Sequence, residues 1–201
     1  MSAQPKPLDV SGLPEYAFGH RSRLWWGTGG FIVIESTAFA LALFAYFYLR
    51  SKLPEWPPGA APPDLLWGTL NTVVLLASAV PNQWAKNAAE EQDLGRVRLW
   101  LVVCLAFGVV FLIIRGFEFT TLNCAWDTNA YGSILWVIMG LHTAHLLTDL
   151  VDTAVLTALM FTRHAHGRRF VDVSENAFYW YFVVLVWLPL YAVIYWVPRL
   201  G

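Results

Sequence analysis

Charge is what this chain has least of. Only 13% of its 201 residues are Asp, Glu, Lys or Arg, where a soluble domain carries about a quarter. The few charges are clustered, and apolar runs of about twenty residues lie between them. That pattern excludes one large soluble core and points to a polytopic membrane protein. Cysteine is nearly absent. Cys104 falls in mid-span and Cys124 in a predicted loop, so no disulfide between them is expected and no Cys-based metal motif exists. No internal repeat and no separate soluble domain is visible. The first twenty residues, "MSAQPKPLDVSGLPEYAFGH", are polar and hold prolines, so no cleavable signal peptide is expected. A net charge of -1 argues against nucleic acid as a partner.

What is abundant is apolar and aromatic surface, 57% and 16% of the residues. It divides into five predicted spans, 24–49, 65–84, 97–119, 131–161 and 177–197, preceded by a polar segment 1–23. Each is long enough to cross a hydrocarbon core of about 30 Å as a helix, and the fourth is longer than a crossing needs. Continuous runs without period-two alternation favour helices over strands. The expected fold is therefore all-α, a five-helix transmembrane bundle over 24–198. Connectors are mostly short, so helices adjacent in sequence are expected to pack side by side. "PEWPPGAAPPD", Pro54 to Asp64, reads as an extended spacer. Pro81 and Pro189 mark places where spans two and five are expected to bend.

Lys and Arg set the expected orientation. Nine (Lys6, Arg21, Arg23, Lys86, Arg96, Arg98, Arg163, Arg168, Arg169) lie on the N-terminal side, against Arg50, Lys52 and Arg199 on the other. The positive-inside bias places the N-terminus in the cytoplasm and the C-terminus outside.

Ionisable residues at membrane depth are candidate sites by default. Glu35, in "FIVIESTAF", lies about halfway along span one. With no partner base in view, it is expected to be neutral or bonded to the Ser36 and Thr37 hydroxyls. Arg115 and Glu118, in "IIRGFEF", are three apart and can pair at the outer edge of span three. Asn71, Ser78 and Asn82 share a face of span two, as helix contacts do. The richest stretch is "GLHTAHLLTDLVD", where His142, His145, Asp149 and Asp152 fall within an arc of roughly 80° on a helix. A metal needs three or four converging ligands. Only Glu35 is offered from another span, and His20, His164 and His166 lie in aqueous segments. Ligand counting therefore favours polar packing over a metal or haem site.

The ordered motifs "WWGTGGFIVIESTAFALALFAYFY", "NTVVLLASAVPNQWA", "RGFEF", "YGSILWVIMGLHTAHLL" and "YWYFVVLVWLPLYAVIYW" resemble subunit III of haem-copper terminal oxidases, in its short five-span form. The resemblance runs over about Trp25 to Pro198 and implies a noncatalytic membrane subunit of a respiratory oxidase that reduces O2 to water while pumping protons. Such a chain binds no redox cofactor itself. Haem and copper belong to the partner catalytic subunit I, and subunit II and phospholipid are further expected partners. The resemblance also implies roles in lipid binding, assembly stability and sustained turnover, and a bacterial cytoplasmic (inner) membrane as location. Carried over by motif, Glu35 is the family's buried acid, His142 and His145 its paired histidines, and Glu118 the acid following the third span.

Some positions depart from the family pattern. Tyr181 and Val184 stand where His and Asp are usual, and Glu175 is one residue off a common acid position. Asp149 replaces a small residue, and Asp152 has no counterpart. The electron donor, cytochrome c or quinol, is open. A related accessory subunit of nitric oxide reductases is the alternative, followed by a freestanding proton-coupled transporter, against which the absence of an inverted repeat counts.

Overall fold

A computed structural model describes residues 17–163 and 165–200. Most of the N-terminal segment 1–23, with Lys6, lies outside the described residues, as does His164. Five long helices follow a short 3-10 turn at Gly19–Arg21: α1 Arg23–Lys52, α2 Leu65–Glu90, α3 Leu94–Thr120, α4 Ala130–Met160 and α5 Arg168–Tyr191. A π-helical turn, Ala192–Trp196, and a 3-10 turn, Val197–Arg199, extend α5. All five are long and apolar enough to cross a membrane, and no strand occurs among the described residues.

Side-chain caps fix where four helices begin. Ser22 accepts from Leu24 N at 3.1 Å, Asp64 from Leu66 N at 3.4 Å, Asp93 from Arg96 N at 3.1 Å and Asn129 from Gly132 N at 2.9 Å. Each satisfies an amide with no partner inside its helix. α5 instead starts after Gly167, whose positive φ of 54° turns the chain. It begins nine residues before the span expected at 177, because "RRFVDVSEN" is helical despite its charges. Glu175 and Asn176 are thus helix residues, not loop residues.

Helices α2, α3, α4 and α5 form a closed ring, each packed on the next and α5 on α2. The first helix is the exception to the expected sequential packing. α1 docks outside the ring, on α4 and α5. The linker 53–64 makes this possible, since its twelve or so residues can span well over a helix diameter. It is also no loose spacer. Buried Trp56 donates through Nε1 to the Tyr46 hydroxyl at 2.8 Å, and that hydroxyl donates to Val193 O at 3.1 Å.

The α2 face predicted for helix contact looks into the ring. Trp187 Nε1 donates to Thr72 Oγ1 (2.8 Å), Trp180 Nε1 to Ser78 Oγ (2.9 Å) and Asn82 Nδ2 to Ala177 O (2.9 Å). These two indoles and the Asn82 amide nitrogen thereby find partners within the bundle. On the outer surface, large apolar side chains such as Ile34 (69% exposed) and Phe44 (71%) project from α1.

The close approach of the π-helical turn to α2 rests on a glycine. A Cβ on Gly68 would overlap the Tyr195 ring, so only glycine lets the π-helical turn lie against α2. Gly68→Val is expected to cost about 1–3 kcal/mol through overpacking, read as a lower melting temperature in detergent.

Candidate functional site

Two polar centres occupy the bundle, and the histidines of α4 divide between them. The first lies inside the ring. Arg115 and Glu118 pair at 2.9 Å with both side chains 1% exposed. Pairing at i, i+3 follows from helix geometry, and the pair is buried between the helices near the C-terminal end of α3. Four helices close around it. Asn71 Nδ2 donates to Glu118 Oε2 at 2.9 Å, and the Tyr195 hydroxyl donates to Oε1. The guanidinium lies 4.1 Å from the Trp187 ring centroid and 4.9 Å from that of Phe111, which adds cation–π attraction. Arg115 Nη2 is 3.4 Å from His142 Nδ1. Because a guanidinium only donates, Nδ1 accepts, and His142 Nε2 carries the proton it gives to Val183 O at 3.1 Å. His142 is thus a neutral, fully buried spacer between an arginine and a carbonyl.

The second centre lies where α1 meets α4 and α5. The Tyr179 hydroxyl donates to Glu35 Oε2 at 2.6 Å, and His145 Nε2 is 3.3 Å from Oε1. The expectation that Glu35 lacks a base and leans on Ser36 and Thr37 is corrected here. Those hydroxyls donate to carbonyls of their own helix, Ile32 O and Val33 O, as mid-helix Ser and Thr do. The base comes from a helix more than a hundred residues away. His145 Nδ1 donates to Leu141 O at 2.7 Å, which turns Nε2 toward Glu35.

Beyond this pair a cleft of about 670 Å³ opens between the three helices. Glu35, Asp149, Asp152 and Glu175 line it, with the Arg169–Asp172 ion pair (2.8 Å) alongside. Asn176 Nδ2 donates to Asp149 Oδ1 (3.3 Å) and Asp152 Oδ2 (3.2 Å), while its oxygen accepts from Thr153. Among the described residues, the aspartates form no ion pair with the basic groups before the fifth helix and bond this amide instead. Of the sequence candidates, Glu35, His145, Asp149, Asp152 and Glu175 therefore gather at the cleft. Arg115, Glu118 and His142 form the separate interior centre.

Sequence reasoning missed Tyr179 and Asn176. Reading "RRFVDVSEN" as helix would have put Asn176 and Tyr179 at i, i+3 on one face of α5, where Asn176 meets the acids of α4 and Tyr179 meets Glu35 of α1. It missed Tyr195 and Trp187 because nothing local signals contacts across such chain separations. Among the described residues, no group of three or more His, Cys, Asp or Glu side chains is arranged to hold a metal ion.

The family model for cytochrome c oxidase subunit III matches residues 14–198. The chain belongs to that family. Its relatives include cytochrome c oxidase subunit 3 of Thermostichus vulcanus, 27% identical over 84% of this chain and 85% of that protein. That of Synechocystis sp. is 29% identical over 88% of this chain and 77% of its own length. That of Osphranter robustus is 32% identical over 82% of this chain and 66% of its own length. For this subunit III, the tyrosine at position 181, where the resemblance leads one to expect histidine, donates to Gln83 Oε1 at 2.6 Å. Val184 is buried.

Removing one member of the interior ion pair strands the other. Arg115→Met is expected to destabilise the bundle by about 3–5 kcal/mol, and adding Glu118→Gln to recover most of the loss. Thermal unfolding of the two variants, compared with wild type, measures both.

Proposed function

We propose that this subunit III sits beside subunits I and II of a respiratory haem-copper oxidase and sustains their turnover by holding structure and lipid around Glu35. The chemistry of dioxygen reduction and proton pumping belongs to the haem and copper of the catalytic subunit. This chain offers a scaffold. The observation that carries the reading is the family match across nearly the whole described bundle, with the motif-matched Glu35 held by His145 and Tyr179 at the edge of an open cleft.

Several features support the finer points. The cleft is walled by Leu24, Phe31, Val155, Leu156 and Leu159 next to its polar groups, a combination suited to a phospholipid with chain and headgroup side by side. The large apolar side chains on the outer face of α1 suit acyl chains or a neighbouring subunit. Arg96, Arg98, Arg163, Arg168 and Arg169 all fall at the end of the bundle where α2 passes to α3 and α4 to α5. That asymmetry supports a cytoplasmic N-terminus. The relatives described above carry the oxidase name, which favours an oxidase over a nitric oxide reductase.

In the purified oxidase, Glu35→Ala is expected to leave the initial rate of oxygen consumption within about twofold of wild type. Activity should then decay faster during continuous turnover, and less phospholipid should be retained, since about 0.8 kcal/mol per CH2 of lipid contact depends on the shape of the site. Unchanged decay together with unchanged bound lipid refutes the role.

A further inference from the structure

α1 is anchored unevenly along its length. Its buried side chains, Phe39, Ala42 and Tyr46, all lie in its C-terminal half. There the Tyr46 hydroxyl donates to Val193 O and accepts from Trp56 Nε1 of the linker. The Phe39 ring lies 4.8 Å from that of His145. Between residues 23 and 38 no residue is buried. Glu35 is tied to His145 and Tyr179. Nearer the start of the helix, Phe31 stacks on Tyr179 at 5.8 Å and Trp25 on Phe178 at 5.5 Å.

This weakly held half also carries "GTGG". A Cβ on Gly27, Gly29 or Gly30 would meet nothing within 4 Å. Gly68 and Gly108 differ, because a Cβ there would overlap Tyr195 and Leu150. Packing within this chain thus gives no reason for the three glycines of α1. What they do change is the helix itself: glycine is a poor helix former, and helices bend where small residues cluster. The same segment walls the cleft, with Leu24, Gly27, Thr28 and Phe31 beside Leu159 and Arg169. Leu24, Leu159 and Arg169 each lie one residue from an end of their helices. The cleft therefore opens at that end of the bundle, and Glu35 lies about 18 Å inside it at 1.5 Å per residue.

We propose that the first turns of α1, residues 23–31, are a gate over the cleft. The helix bends at Gly27, Gly29 and Gly30, which carries Trp25 away from Phe178 and lets a phospholipid chain enter or leave from the leaflet at that end. The Trp25–Phe178 stack, with Thr28 beside Glu175, is the latch. Glu35 and everything beyond it stay in place, because Tyr179, His145 and the buried Phe39 and Tyr46 hold them. Opening exchanges a ring stack for contact with acyl chains, and it exposes little that was buried. The gate rests on the reading of the cleft as a lipid site.

Hydrogen exchange of the purified oxidase in nanodiscs, read by mass spectrometry, tests the bending. Amides of residues 27–31 are expected to exchange faster than those of residues 39–46. The triple variant Gly27→Ala, Gly29→Ala, Gly30→Ala adds methyl groups only to open space and is expected to slow residues 27–31 by about tenfold or more. Trp25→Ala, which removes the latch, is expected to speed them. The second readout is lipid. With the oxidase placed in vesicles of chain-deuterated phosphatidylcholine, the native phospholipid it retains is expected to be replaced slowest in the triple variant and fastest in Trp25→Ala. Equal hydrogen exchange in the two segments of wild type overturns the proposal, as does a triple variant whose hydrogen exchange matches wild type. Retained phospholipid that is replaced at one rate in all three proteins overturns the gate and leaves the lipid role of the cleft standing. A wild type that retains no phospholipid removes that role, and the gate with it.

Discussion

The buried Arg115–Glu118 ion pair is the interaction on which the ring of helices depends. Two buried charges are costly unless they are paired and hydrogen-bonded, and here the partners are distributed. Asn71 comes from α2, His142 from α4, Trp187 from α5 and Tyr195 from the π-helical turn. Shifting any one of these helices by a turn strands a charge in a medium without water. The pair thus specifies how the ring fits together, beyond whatever it adds to stability. Gly68 belongs to the same device, since its missing side chain is what admits Tyr195.

The outer helix obeys a different rule. α1 has little buried surface of its own and contributes to the protein chiefly through Glu35, reaching His145 and Tyr179. The Glu35–His145 contact joins α1 to α4, and Tyr179 ties it to α5. Just beyond it the lining of the cleft turns acidic. The interior centre and the cleft thereby differ: one joins four helices around a buried ion pair, the other gathers acids beside open space. A subunit without redox centres has use for both, one to hold its shape within an assembly and one to meet lipid and water.

The number and length of the helices were legible in the sequence because hydrophobic runs report the bilayer thickness directly. Three things were not legible. α5 begins at Arg168 because "RRFVDVSEN" packs Phe170, Val171 and Val173 inward, while its charges read as a turn. α1 leaves its sequence neighbour because a proline-rich linker permits a crossing that no local pattern encodes. The stripe of His142, His145, Asp149 and Asp152 is narrow on a helical projection, yet His142 meets α3 and α5 while His145 meets α1. α4 is buried on more than one side, so a shared face did not mean a shared site. The motif resemblance identified the family where periodicity alone identified only a membrane bundle.

The central claim, that this chain works as subunit III within a haem-copper oxidase, is tested most directly by what accompanies it out of the membrane. Affinity purification of the chain in mild detergent, with quantification of haem and copper, is expected to recover a stoichiometric catalytic subunit bearing both metals. Recovery of the chain alone, or with a haem-bearing partner that contains no copper, would contradict the account.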